Sequence, residues 1–94
     1  MNAIFSRRIP FLTSDGGAAL LYFLLEDAAA PGTAPFGVRV VKLDAREHVM
    51  EEAECLCVAR DRTQAFRILS LLADGSVPPC TLAEVLEDLA LSAA

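Results

Sequence analysis

The sequence predicts an α+β fold in which an antiparallel four-stranded meander is followed by two C-terminal helices packed on one sheet face. Three observations carry this expectation. β-favouring segments separated by turn clusters fill the chain as far as Ala59, apolar residues then recur at helical spacing between start and stop signals, and the length of 94 residues suits one core. A domain of this size buries roughly 60–65% of its unfolded surface, so a single domain over residues 1–94 is expected.

Residues 3–12 read as an edge strand, because Ala3, Phe5, Ile9 and Phe11 share one parity while Arg7 interrupts that face and Pro10 cannot donate to a ladder. Thr13-Ser14-Asp15-Gly16-Gly17 makes a hairpin turn with glycines available for a positive φ. Residues 18–26 return antiparallel, with Leu20, Tyr22 and Leu24 on one face and Leu21, Phe23 and Leu25 on the other. Neither face is polar, the pattern of a strand covered on both sides. Asp27 to Pro35 offers little but methyl groups to bury and is expected to be a mobile loop. Residues 36–43 form a third strand, with Phe36, Val38 and Val40 opposed to Arg39, Val41 and Leu43. Asp44 to His48 turns the chain, and residues 49–59 alternate as a fourth strand whose first half is acidic and solvated.

The helices are predicted over about 62–74 and 82–91. Asp61 and Gln64 have capping-box spacing, Ala65, Phe66, Ile68, Leu69, Leu72 and Ala73 form an apolar stripe, and Gly75 is placed for a left-handed C-cap. Val77-Pro78-Pro79 stops the first helix, while Thr81 and Glu84 form a second capping box ahead of Leu82, Val85, Leu86 and Leu89.

Val77-Pro78-Pro79-Cys80-Thr81-Leu82-Ala83-Glu84-Val85-Leu86-Glu87-Asp88, with Phe36-Gly37-Val38-Arg39-Val40 and Asp61-Arg62-Thr63 upstream, resembles the C-terminal pattern of an uncharacterised bacterial family. That family is a domain of unknown function found mainly in anaerobic Gram-positive bacteria, ending in Val-Thr-Pro, Leu and then Val-Ile-Glu-Asp. The resemblance runs from Tyr22 onward, and Pro78 stands where the pattern has Thr. It implies strands followed by helices and supplies no activity.

Composition narrows the function classes. The chain is 54% hydrophobic and 22% charged, which excludes disorder, and its longest uncharged apolar run, Gly16 to Leu25, is too short to span a bilayer. The start of the chain has no secretory h-region, so a cytoplasmic protein is expected. With a net charge of −5 and no cation after Arg67, neither nucleic acid nor an anionic membrane is an expected partner.

The chemistry-bearing residues are few. Cys55, Cys57, Cys80 and His48 are all the soft ligands present, and Cys-x-Cys lacks the spacing of paired zinc ligands, so no metal and no cofactor is expected. The three thiols are read as reduced, with Cys80, just before a helix, the better candidate for a reactive one. Any Cys–His catalysis would have to use His48, which sits in a turn. Glu87 and Asp88 are expected to meet Arg60, Arg62 or Arg67 on the neighbouring helix, and Arg7, Arg8, Arg39 and Lys42 could gather as a basic patch on the outer sheet face. Gly16-Gly17 precedes a strand and forms no phosphate loop.

A non-catalytic interaction or regulatory module is therefore the leading expectation, self-associating through the sheet face that the helices leave bare. Its interface would be Leu21, Phe23 and Leu25, or else Leu20, Tyr22 and Leu24, whichever set faces out. The alternative is a small-molecule domain with a pocket between sheet and helices and Tyr22 or an arginine as its polar handle. An enzyme is not expected, since one histidine provides no matched acid–base set.

Overall fold

Alternation of apolar residues at period two places four strands side by side in chain order. They are β1 (Asn2–Pro10), β2 (Gly17–Glu26), β3 (Phe36–Asp44) and β4 (Val49–Ala59), each antiparallel to its neighbours in the order β1-β2-β3-β4. Two helices follow, α1 (Arg62–Asp74) and α2 (Leu82–Ala93), with a 3₁₀ turn at Pro79–Thr81 between them. The structure, a computed structural model, describes residues 2–26 and 35–93. The loop expected to be mobile lies, apart from Pro35, outside the described residues.

The β1–β2 hairpin closes as its turn residues dictate. Gly16 takes φ +97°, the Thr13 N–H donates to the Gly17 carbonyl, and the Gly17 N–H donates to both Thr13 Oγ1 and Asp15 Oδ1. At the far end of β1 the register slips between Ala3 and Phe5. That bulge breaks the single parity expected for Ala3, Phe5, Ile9 and Phe11. Ala3 pairs with Leu25 and Phe5 with Leu24, so the two lie on opposite faces, while Ile4 joins Ile9 and Phe11 against the core.

Both helices pack on one face of the sheet. Leu20, Tyr22 and Leu24 of β2 and Phe36, Val38 and Val40 of β3 form a core there with Ala65, Leu69 and Leu72 of α1 and Leu82 of α2. Phe66, at the edge of the α1 stripe, is over a third exposed and meets Phe5 edge to face at 5.1 Å.

The start of α1 follows the capping chemistry: Asp61 Oδ1 accepts from the Gln64 N–H at 2.8 Å, and Gln64 Oε1 accepts from the Arg60 N–H, one residue further back than in the usual box. Its end does not follow the expectation for Gly75, which has φ −87°. The left-handed residue is Ser76, at φ +49°; its N–H donates to Ala73 and the Val77 N–H donates to Leu72, which together make a Schellman motif one residue later than expected. Leu72 and Val77 meet in the core and fix that position. Ser76→Gly is therefore expected to raise stability by about 1 kcal/mol, by removing the cost of a Cβ in the left-handed region. Urea unfolding of the two proteins checks it, and an unchanged or lower midpoint would contradict it.

Thr81 does not cap α2. It lies inside the 3₁₀ turn, and its hydroxyl donates to the Pro78 carbonyl at 3.4 Å, so α2 is entered from a turn already formed. Among the described residues Glu87 and Asp88, both exposed, make no ion pair. Arg62 approaches Glu26 at the end of β2 instead, at 3.7 Å.

Candidate functional site

The two faces of β2 have different fates, which separates the two candidate sets. Leu20, Tyr22 and Leu24 lie under the helices and are fully buried. Tyr22 is drawn to that side by its hydroxyl, which donates to the Val77 carbonyl at 3.0 Å, so the proline elbow accepts from the only tyrosine in the chain. Burial, opposed in part by Arg7, pushes its phenol up to about 12. The polar handle postulated for a ligand pocket is thus already engaged.

Leu21, Phe23 and Leu25 lie on the opposite face, which carries no helix among the described residues. Cross-strand register places the side chains there in rows: Arg8, Leu21, Val41 and Glu52 form one row, and Ser6, Phe23, Arg39 and Glu54 form the next. Both rows are apolar at or near the middle and end in carboxylates on β4, and the first begins with an arginine on β1. At one end of the face Leu56, about half exposed, folds beside Gly37. Gly37 has to be glycine, because a Cβ would stand 2.8 Å from the Cys55 carbonyl and 3.2 Å from Leu56 Cα, where β4 bulges toward β3.

Charged side chains lie across parts of this face. Arg8 on β1 reaches Glu47 in the β3–β4 turn at 2.8 Å, spanning β2 and β3, and near its path Ala19, Val41 and Leu43 form a second small cluster that is buried without a helix above it. Arg39 pairs with Glu52 and stands 6.0 Å from the centre of the Phe23 ring. The cover that β2 demands on this side is therefore supplied in part by aliphatic stems of arginine. Leu21 and Phe23 remain half-buried, whereas Leu25, the third member of that expected set, is buried.

The basic patch expected on the outer face divides between the two faces. Arg8 and Arg39 lie on the open face, whereas Arg7 pairs with Tyr22 on the helix side and approaches Asp74 of α1 at 3.7 Å. Lys42, paired with Leu20, is buried on the helix side, where Nζ donates to Asp15 Oδ2 at 2.7 Å. That hydrogen bond holds the Asp15 carboxyl down at about 2, helped by Thr13 and the Gly17 N–H, and pushes the Lys42 ammonium up. A lysine on an alternating strand gave no sign of burial in the sequence; an aspartate in the preceding hairpin turn was the one available signal.

The remaining candidates are dispersed. Cys55 is half-buried against the core, and burial followed by the charge of Glu54 pushes its thiol up. Cys80 is exposed, and the side chain of Cys57 lies outside the described residues. His48 is exposed in the β3–β4 turn, where Asp44 Oδ1 accepts from the backbone N–H groups of Arg46 and His48 and is held below the usual carboxylate range by them. No three of His, Cys, Asp and Glu gather as a ligand set among the described residues. No helix among them is long and apolar enough to cross a membrane.

No curated protein and no solved structure matches the chain. Residues 12–92 match the model of a single family, described as a family of unknown function (DUF6514). The match begins after β1 and takes in β2 to β4, α1 and nearly all of α2, and the chain belongs to that family of unknown function.

Proposed function

We propose that the protein is a non-catalytic interaction module that self-associates through the helix-free face of its sheet, as a cytoplasmic homodimer in bacteria of the anaerobic Gram-positive kind named above. The observation that carries this reading is the make-up of that face. Leu21 and Phe23 of β2 are half-open apolar residues between Arg8 on β1 and Glu52 and Glu54 on β4, and Leu56 adds a half-exposed apolar side chain on the β4 edge. The row Arg8, Leu21, Val41 and Glu52, apolar in its middle with opposite charges at its two ends, is complementary to its own reverse, and a second copy is the partner it fits.

Phe23→Glu tests the reading, because a carboxylate in the middle of the strip obstructs association while leaving the helix-side core intact. Wild-type protein is expected to sediment as a dimer at tens of micromolar and Phe23→Glu as a folded monomer with an unchanged circular dichroism spectrum. A wild-type protein that stays monomeric at every concentration tried would sink the proposal. The small-molecule alternative is left with an arginine as its handle, since the Tyr22 hydroxyl is bonded to Val77.

A further inference from the structure

Two identical sheets stacked in aligned packing keep their strands within about 30° of one another, which leaves two twofold axes. An axis across the strands lays β1 on β1 and β4 on β4, so that the edges carrying Glu52 and Glu54 in the two copies meet each other and no arginine of β1 meets a glutamate of β4. An axis along the strands lays β1 of one copy on β4 of the other and β2 on β3. We infer that the dimer uses the axis along the strands, an inference that rests on the self-association proposed above and specifies its geometry.

The reason lies in the rows. Arg8, Leu21, Val41 and Glu52 are aligned at one level of the sheet by three successive cross-strand pairings. Rotation about an axis along the strands keeps each level in place and reverses the order within it. The row then meets its own reverse, so Arg8 faces Glu52 of the second copy, Leu21 faces Val41, and both contacts occur twice. The neighbouring row behaves in the same way, bringing Phe23 under Arg39 of the second copy, an arrangement already formed within one copy at 6.0 Å. Within one copy Arg8 is paired with Glu47 and Glu52 with Arg39, so an Arg8–Glu52 pair is a contact that only the dimer makes. With strands about 4.8 Å apart and rising about 3.3 Å per residue, the face measures roughly 19 by 30 Å. That is at the small end for a specific interface.

Charge exchange tests the axis. Arg8→Glu and Glu52→Arg are substitutions of half-exposed side chains and should leave the fold intact, which melting curves of each protein check. Each is expected to weaken its own homodimer roughly a hundredfold, because like charges meet twice. Mixed in equal amounts, the two variants restore both opposite-charge contacts. Native mass spectrometry of the mixture is expected to show the heterodimer at wild-type strength, and a chain carrying both substitutions is expected to dimerise like the wild type. If wild type dimerises but the mixture does not form the heterodimer, or if either single variant dimerises undiminished, the axis is wrong and the self-association stands. If wild type is monomeric, both fail together.

Discussion

Tyr22→Ala is expected to leave little folded protein. The side chain is fully buried among Leu20, Leu24 and residues of α1, so truncation leaves a cavity that costs about 3–5 kcal/mol. The Val77 carbonyl also loses its donor within the core, adding about 1–3 kcal/mol. Domains of this kind have about 5–15 kcal/mol in total, so the sum removes most of the margin. Tyr22→Phe isolates the hydroxyl and is expected to cost about 1–2 kcal/mol, with the helices retained. Urea titrations followed by circular dichroism measure both, and an alanine variant within about 1 kcal/mol of wild type would contradict the packing described for this face.

The fold is also expected to lose stability steeply in alkali. In the folded chain the Tyr22 phenol is raised from 10.0 to about 12 because burial opposes its ionised form. A group raised on folding contributes fully below its unfolded value and loses that contribution as pH climbs toward the folded one. Between pH 10 and 12 the unfolded chain ionises while the folded chain does not, which at 1.36 kcal/mol per pH unit removes about 2–3 kcal/mol. Lys42 acts in the same direction, since its ammonium is raised above 10.5 by Asp15. On the acid side Asp15 is depressed from 3.8 to about 2, so its contribution is present above pH 4 and fades as pH falls between those values. Urea midpoints at pH 7, 10, 11 and 12 are expected to fall progressively, and Tyr22→Phe is expected to flatten the fall. An alkaline slope identical in both proteins would assign the effect elsewhere.

Local patterns made the architecture legible. Alternation in β2 and β3, the Thr13–Gly17 turn and the Asp61–Gln64 box depend on neighbours in sequence, and the strands and helices formed where those signals stood. Features set by distant residues were not legible. Ser76 rather than Gly75 is left-handed because Val77 must reach the core, and Lys42 is buried because Asp15, 27 residues earlier, folds back to meet it. The open face shows the difference most clearly. Its apolar residues could be read from parity, but the row that joins Arg8 to Glu52 exists only after three strand pairings have fixed the registers. Which face of β2 the helices take was undecided by composition, because Leu20 and Leu21 are identical in kind. The phenol's need for an acceptor distinguishes them.

The Tyr22–Val77 bond has a further consequence for biosynthesis. It closes across 55 residues, whereas every strand of the meander pairs with the one made just before it. The sheet can therefore assemble as the chain leaves the ribosome, with Leu20, Tyr22 and Leu24 still facing water. At about 5–20 residues per second, the passage from Ala59 to Val77 takes roughly 1 to 4 s. During that interval the nascent hairpins present the surface that α1 and the proline elbow will cover, and they depend on chaperones or on speed to stay apart.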